Sequence, residues 1–396
     1  MTKINDLINE KCPNGVEYKS IESVFVVLTG MTGVSKKWAE NGNCRFIDYM
    51  NVYKNRKVNV NLLPYATVKS NNQTILEKGD ILLTSASELP EECAISSVIE
   101  DSIEDGIFLD DHLLGLRLKE EYKQAINTTF INYYLESKQF RENLYKAVRG
   151  VTRFYISNKN FVKLVIPIPP IEIQTEIVRV LDKFLELEMQ LKDELEKRKE
   201  QQKFWCYKLY QNKNIEYKFL NEISKNCDSK RKPITKGKRK SGEYPYYGAS
   251  GIVDYVDGYI FEGNYLLISE DGANLIARST PIAFSIEGKN WVNNHAHVLK
   301  FENTFMQKYV EYYLNLIDLK EYITGAAQPK LNQDNLNKIP IPIPSEPEQK
   351  KIVNILNKFD KLINDDEEGL YAEIELRKKQ YEYYRNKLLS FKEVIN

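Results

Sequence analysis

An internal repeat constrains this chain more than any other feature of its sequence. Twelve of the 25 positions from 160 to 184 carry the same residue as the position 175 places later, and no gap is needed. The shared pattern is Ile-Pro-Ile-Pro, at 166–169 and 341–344, followed by Gln-x-x-Ile-Val-x-x-Leu-x-Lys-Phe. Further upstream, the Tyr-Tyr-Leu at 133–135 returns at 312–314. A repeat of this kind predicts one structural unit used twice.

Each copy divides into a globular module, a Pro-containing linker and a long charged helix. Alternating prolines remove backbone donors and disfavour helix, so we expect the linker to be extended. The helix that follows carries apolar residues at spacings of four and three, which is the seam of a coiled coil. The seam residues are Ile173, Ile177, Val180, Phe184, Leu187 and Leu191 in the first copy, and Ile352, Ile355, Phe359, Leu362, Leu370, Ile374, Tyr381, Tyr384 and Leu388 in the second.

Two such helices in one chain favour antiparallel pairing with each other over two separate dimerisation zippers, because both partners are already tethered. The first helix, from Gln174 to Tyr210, would be about 55 Å long, so we expect the pair to act as a ruler between the modules. The offset between the copies grows from 175 to 179 along the helices. This growth indicates four extra residues in the second helix, as a stutter or as a break at 364–369.

The sequence therefore predicts four segments. They are module one at 1–165, its linker and helix at 166–212, module two at 213–339, and the second linker and helix at 340–396. Both modules are predicted to be mixed α/β (α+β), related by a pseudo-twofold repeat and separated by the two long antiparallel helices. Strand-like runs lead to a helical stretch in each, at 128–145 and at 304–319. Between 30–106 and 229–294 the modules cannot be aligned, as expected of readers with two different targets.

The chain resembles type I restriction-modification specificity subunits over nearly its whole length. The likeness rests on the duplicated Ile-Pro-Ile-Pro and Gln-x-x-Ile-Val helices, on the approach Gly325-Ala326-Ala327-Gln328-Pro329-Lys330-Leu331-Asn332, and on the two divergent modules. The first copy, at 150–157, lacks the Gln-x-x-Leu-Asn form of that approach.

This resemblance implies that each module is a target-recognition domain that reads one half of a bipartite, asymmetric site in double-stranded DNA. It implies that the helices set the spacer and dock modification (methyltransferase) subunits, two of them by expectation, and that restriction/translocase subunits join the full complex. It also implies a non-catalytic chain without a cofactor of its own, since S-adenosylmethionine and ATP with Mg²⁺ would be bound by the partners.

Composition places the chain among folded proteins without a membrane span. Hydrophobic residues make up 42% of it and charged residues 28%, and no apolar run reaches 18 residues. The opening residues lack the apolar stretch of a signal peptide, so we expect a cytoplasmic protein. The five cysteines are odd in number and form no Cys-x-x-Cys pair, which predicts reduced thiols and no zinc site.

Equal numbers of basic and acidic residues, 56 of each, exclude a globally basic nucleic-acid binder but conceal strong local charge. The stretch 88–111 has nine acids and no base, and we expect it to face away from DNA. The stretch 228–240 has seven bases and one acid, which is typical of phosphate or major-groove contact.

DNA recognition needs cations for phosphates and planar polar groups for base edges. The candidates in module two are Lys230, Arg231, Lys232, Lys236, Lys238, Arg239, Lys240, Tyr246, Tyr247, Asn293, Asn294 and His295. Those in module one are Lys36, Lys37, Arg45, Lys54, Arg56, Lys57, Thr84, Ser85 and Ser87, with Arg149 and Arg153 beside the linker.

The sequence gives weaker support for other functions. The chain has neither an Asn/Asp-Pro-Pro-aromatic methyltransferase motif nor a Gly-x-x-x-x-Gly-Lys phosphate loop. Asp271 followed by Glu287-Gly288-Lys289 is a loose match to a Mg²⁺-dependent nuclease. His295 and His297 would share a strand face, but a plain strand is favoured over a metal site. A coiled-coil scaffold with protein-binding modules remains an alternative, because charge runs are usually solvated faces.

Overall fold

The chain forms two compact units in the computed structural model, which describes residues 2–61, 63–69, 73–104, 106–211, 215–325 and 328–394. Unit 1 is Met1–Met189 with Glu375–Asn396, and unit 2 is Gln190–Ile374. The chain therefore passes between the units twice, each time inside a helix. The units cut across the four predicted segments, because each part of the two spacer helices packs with a module. The predicted boundary at 212–213 lies outside the described residues.

Unit 1 combines short strands with helices that cover them. Its strands are β1 (Glu17–Ser20), β2 (Phe25–Thr29), β3 (Val34–Lys37), β4 (Cys44–Ile47), β5 (Tyr65–Val68), β6 (Ile81–Thr84), β7 (Ala86–Ser87), β8 (Ser96–Val98), β9 (Ile107–Leu109), β10 (Leu113–Leu118), β11 (Phe154–Tyr155) and β12 (Val165–Ile168). Its helices are α1 (Thr2–Lys11), α2 (Ile21–Val24), α3 (Tyr49–Lys54), α4 (Thr128–Leu135), α5 (Lys138–Ala147), α6 (Asn158–Phe161) and the start of α7 (Ile171–Tyr210).

Unit 2 has a similar order of elements. Its strands are β13 (Glu216–Phe219), β14 (Ser224–Asn226), β15 (Ser241–Gly248), β16 (Gly251–Val256), β17 (Phe261–Glu262), β18 (Tyr265–Ser269), β19 (Ala283–Ile286), β20 (Lys289–Val292), β21 (Ala296–Phe301) and β22 (Pro340–Ile343). Its helices are the end of α7 with α8 (Leu220–Ile223), α9 (Asn274–Ala277), α10 (Thr304–Leu316), α11 (Gln333–Asn337), α12 (Glu346–Asn364) and the start of α13 (Leu370–Leu388).

One four-stranded antiparallel sheet is common to both modules. Its strand order is β2-β10-β6-β8 in unit 1 and β14-β21-β18-β19 in unit 2. The central strands β6 and β18 are buried along their whole length, because apolar runs without alternation require cover on both faces. The shared core sheet is therefore built from the parts of the modules that follow the same sequence pattern.

A second sheet differs between the modules. Its order is β3-β5-β4-β9 in unit 1, where β4 and β9 are parallel, and β16-β15-β20-β17 in unit 2, where β15 and β20 are parallel. Almost all of these strands come from the stretches in which the two copies cannot be aligned. The divergence in sequence is thus a divergence in strand order.

The Ile-Pro-Ile-Pro linkers are strands. In unit 1, β12 pairs antiparallel with β1, which places Pro167 opposite Tyr18; in unit 2, β22 pairs with β13, which places Pro342 opposite Tyr217. Proline is tolerated because each linker strand is an edge of a two-stranded ribbon. This pairing explains why the beginnings of the two modules also resemble each other.

Repeated polar side chains fix the start of each long helix. The Gln174 amide donates to the Pro169 carbonyl at 2.6 Å, and the Gln349 amide donates to that of Pro344 at 2.8 Å. The hydroxyl of Tyr133 binds Asp182, and that of Tyr312 binds Asn357 in the same way. These residues of the sequence repeat therefore make equivalent structural contacts.

The helices pair antiparallel within each unit, as predicted. In unit 1, Phe184 of α7 stacks on Tyr384 of α13 at 5.3 Å, and Leu181 shares the core with Leu388. In unit 2, Leu195 contacts the cluster of Ile363 and Ile374, with Leu191 and Leu370 packed against it.

Two predicted seam residues lie outside the buried seam. Leu187 is 38% and Leu362 is 42% exposed. The neighbouring Ile363 is buried instead of Leu362, because the helix ends at the next residue and the seam shifts. Five further predicted seam residues are partly exposed, namely Val180, Phe184, Ile355, Phe359 and Tyr384.

The second helix is broken, in agreement with one of the two alternatives from the sequence. Helix α12 ends at Asn364 and α13 begins at Leu370. Asp365 closes the break, since its carboxylate accepts the backbone N–H groups of Glu367 and Glu368 at 3.1 and 2.9 Å.

The helical stretch predicted at 128–145 is also two helices, α4 and α5, because Ser137 caps the second through the N–H of Phe140. The stretch predicted at 304–319 ends earlier, at Leu316. All five cysteines are free and buried. No described helix is both long enough and apolar enough to cross a membrane.

Candidate nucleic-acid interface

A basic loop, residues 229–240, joins β14 to β15 in unit 2 and is held firmly to the second sheet. The N–H of Ile234 donates to the Tyr246 hydroxyl at 2.8 Å. The indole N–H of Trp291 donates to the carbonyl of Lys232 at 2.6 Å, and Lys232 donates its own N–H to the Val292 carbonyl. The loop is therefore a shaped surface, although it contains little regular structure.

The arginines of this loop are structural. The Arg239 guanidinium lies over the Tyr246 ring at 4.5 Å and contacts Asp254 at 3.1 Å. Its hydrogen bond lowers the pKa of the Asp254 carboxyl, with help from the N–H of Tyr255. The guanidinium group of Arg239 therefore uses its ring face and its N–H donors within the module rather than for an external ligand.

Arg231 belongs to a buried network at the base of the loop. It contacts Asp228 at 3.3 Å and Glu270 at 2.5 Å. Asp228 also accepts from His297 at 2.6 Å and from the Val298 N–H at 2.7 Å. Burial alone would raise the pKa of Asp228, but these hydrogen bonds and charges lower it.

This network could offer ligands to a metal, since Asp228, Glu270 and His297 lie close together. However, Arg231 and Lys330 already neutralise the carboxylates, and the other ring nitrogen of His297 lies 2.7 Å from the Leu331 carbonyl oxygen. The cluster is thus arranged as an ion-pair anchor for the loop. His295 and His297 do not share a metal-binding face, because His297 is buried here and His295 binds Asp271 outside the strand.

The lysines of the loop are different from its arginines. All five are exposed, and none forms an ion pair with any residue that the structure describes; they are Lys230, Lys232, Lys236, Lys238 and Lys240. Five ammonium groups on an anchored loop make a positive surface suited to a phosphate backbone.

The other candidates of unit 2 fall into two groups. Tyr246 and Asn293 are buried, and Asn293 accepts the N–H of His295 at 2.8 Å, so both hold the site together. Asn294 and His295 are exposed, and Asp271 orients the His295 ring through contacts of 3.0 and 2.8 Å. Tyr247 is half-buried beside Phe284.

Strand β16 adds exposed apolar residues that the sequence pattern did not single out. Ile252, Val253 and Tyr255 are each about half exposed on the hairpin next to the basic loop. The sequence gives little indication that these residues are exposed, because an apolar run in a strand ordinarily indicates a buried core face. Apolar side chains beside lysines can contact bases and sugars.

In unit 1, acidic residues neutralise several of the predicted DNA-binding cations. Lys37 binds Asp110 at 3.0 Å and also Asp111. The other pairs are Arg45 with Glu104 at 2.7 Å, Lys57 with Glu100 at 2.6 Å, and Arg56 with Glu136 at 2.9 Å. These cations are committed to the module itself, whereas Lys36 and Lys54 are exposed and have no ion pair among the described residues.

The hydroxyl candidates of unit 1 have structural contacts. Thr84 and Ser87 are buried; Thr84 accepts the N–H of Ile95, and Ser87 donates to Glu92 at 2.9 Å. Ser85 is exposed and donates to the His112 carbonyl. These contacts shape the turn after β6.

Both modules end in the same kind of loop. Arg149 and Tyr155 exchange two backbone hydrogen bonds of 2.9 Å, and Thr324 and Lys330 exchange two of 2.8 and 2.7 Å. Each loop turns at a glycine with positive φ, Gly150 or Gly325. The first copy therefore closes in the same way although it lacks the Gln-x-x-Leu-Asn form; Ala326 and Ala327 lie outside the described residues.

The predicted arginines of the first loop differ in their surroundings. Arg149 donates to the carbonyls of Lys146 and Val148, and so caps helix α5. Arg153 is exposed beside Val151, the side chain of which is 89% exposed. Arg153 therefore remains available to a ligand.

The nuclease alternative is contradicted by strand register. Glu287 follows Ile286, which pairs with Tyr265 at the start of β18. Asp271 lies beyond Ser269, at the other end of that strand. At about 3.3 Å per residue the two carboxylates are roughly 20 Å apart, so they cannot share a metal ion.

Comparison with known proteins decides the family. The model of the type I restriction modification DNA specificity domain matches residues 13–197 and again 212–376. The chain belongs to this family. The two matches correspond to the two copies of the repeat.

Relatives of the chain include specificity subunits from two bacteria. A putative type I restriction enzyme specificity subunit of Haemophilus influenzae is 38% identical over 191 residues, which cover 47% of this chain and 49% of that protein. The chain thus spans about half the length of that relative. A type I restriction enzyme specificity subunit of Escherichia coli is 32% identical over 296 residues, or 66% of this chain and 70% of that protein.

Solved structures share the fold. The S subunit of a type I restriction-modification system from M. genitalium matches with a TM-score of 0.55 at 16% identity, over 96% of this chain and 98% of that one. A structure that concerns complex assembly and conformational transition of the type I R-M system matches with a TM-score of 0.61 at 13% identity, over 95% and 98%.

Proposed function

We propose that this chain is the DNA sequence-specificity subunit of a type I restriction-modification complex. Each module reads one half of a bipartite, asymmetric target. The observation that carries this proposal is that the modules share a core sheet, a linker strand and a helix start, while their second sheets differ in strand order. A common frame serves assembly, and different surfaces serve different half-sites.

The chemistry of each surface supports this role. The loop lysines of unit 2 are available to contact phosphates, which position a protein on DNA without selecting sequence. Asn294 and the oriented His295 offer hydrogen-bonding groups for base edges. In unit 1, Lys36, Lys54 and Arg153 are exposed predicted cations that have no ion pair among the described residues.

Catalysis belongs to partner subunits in this proposal. The methyltransferase subunits, two per chain, bind the helices and carry S-adenosylmethionine, and restriction/translocase subunits carry ATP and Mg²⁺. This chain binds no cofactor and works in the cytoplasm. The paired helices set the spacer between the half-sites.

The deciding experiment is the methylome of the source cell, read by single-molecule sequencing with and without this gene. Loss of a split motif, two short half-sites around a fixed spacer, supports the proposal. Exchange of one module for that of a relative should then change one half-site only. A change in both halves or in neither would contradict the assignment of one module to each half.

A scaffold with protein-binding modules makes the opposite prediction in a simple assay. Phosphate contacts make DNA affinity fall steeply with salt concentration. The assembled complex of a scaffold should show no such dependence and no preference for a sequence.

A further inference from the structure

A cavity of about 680 Å³ in unit 1 is lined by more cations than the fold neutralises. It lies between the end of α3, the start of α5 and the last helix, α13. The basic residues in its wall are Lys54, Arg56, Lys138, Arg141 and Arg385. The acidic ones are Glu91, Glu136 and Glu142, which leaves an excess of two positive charges.

One of these acids is shared between two cations. Glu136 alone serves two guanidinium groups, that of Arg56 at 2.9 Å and that of Arg385 at 3.3 Å. Both guanidinium groups also lie over the ring of Tyr381, at 4.9 and 5.4 Å. One carboxylate between two guanidinium groups leaves a net positive charge in the wall of the cavity.

This charge persists at neutral pH. Burial alone would lower the pKa of Arg56, but the charge and hydrogen bond of Glu136 raise it above its ordinary value. Burial, together with Glu136, raises the pKa of the Tyr381 hydroxyl to about 12, so that ring supplies no negative charge. The wall of the cavity is therefore permanently cationic.

Two lysines add further donors to the cavity wall. Lys54 is exposed and has no ion pair among the described residues, and the Lys138 ammonium is 3.9 Å from Glu142, at the limit of an ion pair. Lys138 is also the first residue of α5, and its backbone N–H already donates to the Asn386 side chain at 3.0 Å. Guanidinium and ammonium groups together in one cavity wall suit a phosphate group.

We propose that this cavity binds a phosphate group, supplied by the DNA backbone or by a free phosphorylated molecule. Because Arg385 comes from α13, the site needs the last helix as well as the first module. If the phosphate belongs to the DNA backbone, the site rests on the proposed function and adds to it. The last helix, α13, is then part of the DNA contact of the first module. In the second case the site is independent of DNA.

The test compares two double variants that remove the same charge. Lys54→Met with Lys138→Met alters the cavity, and Lys159→Met with Lys163→Met alters exposed lysines of unit 1 outside it. Pyrophosphate binding to the full chain is measured by calorimetry, and DNA binding by the assembled complex is measured as a function of salt. The cavity variant should bind pyrophosphate at least tenfold more weakly, while the control variant should match the wild type.

The DNA measurement distinguishes the two sources of phosphate. If the cavity holds a phosphate of the DNA backbone, the cavity variant alone should make the negative slope of log affinity against log salt shallower by about 0.9. An unchanged slope with weakened pyrophosphate binding indicates a free ligand. Equal behaviour of the two double variants in both assays overturns the proposal, whereas a wild-type complex without sequence preference overturns only the proposed function.

Glu136→Gln gives a test in the opposite direction. Removing the carboxylate that lies between the two guanidinium groups raises the charge of the cavity by one. Pyrophosphate should bind the variant more tightly than the wild type. A purely structural role for these arginines predicts a less stable variant with no gain in pyrophosphate affinity.

Discussion

At the scale of single residues, lysine and arginine play different parts on the basic loop of unit 2. The two arginines bind carboxylates, a tyrosine ring and backbone carbonyls, whereas the five lysines are exposed. The planar guanidinium satisfies several partners at once and suits an anchor. The ammonium groups are left for an external anion.

The lysines are expected to contribute to DNA affinity and little to stability. Lys236→Met with Lys238→Met should make the negative slope of log affinity against log salt shallower by about 1.8 and leave the melting temperature unchanged. Filter binding or anisotropy at several salt concentrations measures the slope. Lys225→Met with Lys338→Met, exposed lysines of the same unit outside the loop, is the matched control.

The anchor beneath the loop is expected to control stability. Asp228→Asn removes the carboxylate that His297 and Arg231 share, and leaves Arg231 with Glu270 alone. It should lower the free energy of unfolding by about 3 kcal/mol, because a buried ion-pair network loses one of its charges. Asp318→Asn, at an exposed position, should change it by less than about 0.5 kcal/mol. Urea unfolding followed by tryptophan fluorescence makes the comparison.

The same residue predicts a dependence on pH. The pKa of Asp228 is lower in the folded protein than the ordinary value of about 3.9. Its contribution is therefore complete above about pH 4 and is lost as the pH falls through the folded pKa. The difference in melting temperature between wild type and Asp228→Asn should shrink below about pH 4, and a constant difference down to about pH 2.5 would contradict this account.

At the scale of elements, the loops that end the two modules depend on their glycines. Gly150 has a φ of 127°, and a Cβ atom there would lie 2.0 Å from the carbonyl oxygen of Arg153. Gly325 is constrained in the same way by Gln328, at 2.4 Å. These loops tolerate no side chain at the turn.

Gly150→Ala should therefore open the loop and destabilise unit 1 by about 1–3 kcal/mol. Hydrogen exchange should show faster exchange of the N–H groups of Arg149 and Tyr155, which close the loop. Gly237→Ala is the control, because nothing lies within 4 Å of its added Cβ. Equal protection of the Tyr155 N–H in wild type and Gly150→Ala would refute the proposed closure.

At the scale of the whole molecule, the chain passes between the units only within helices, at 189/190 in α7 and at 374/375 in α13. Each module shares its core with helical residues from both halves of the repeat. The frame that joins the modules is thus separate from the loops that differ between them.

This separation predicts that spacer length and half-site sequence can be changed independently. Inserting one helical turn, about four residues, after Met189 and another after Ile374 should lengthen the spacer of the methylated motif and leave both half-sites unchanged. Single-molecule sequencing of cells that carry the altered gene gives the motif directly. An unchanged spacer would show that the helices do not set it.

Local sequence rules were sufficient to predict the repeat, the extended linkers, the antiparallel pairing of the helices and the four extra residues near Gly369. Proline removes backbone donors, and heptad spacing creates an apolar seam, so residues that are close in the sequence determine each of these features. The positive loop of unit 2 could also be located from the sequence, because it is one continuous segment.

In contrast, the tertiary structure decides which charged side chains have no ion-pair partner within the chain. Lys37, Arg45 and Lys57 contact acids that are 43 to 125 positions away in the sequence, and Arg385 and Arg56 both contact Glu136. Asp271 and Glu287, near in sequence, are separated by the length of a strand. Charge pairing depends on distance in space, and chain folding sets that distance through long-range strand and helix packing, which no local pattern records.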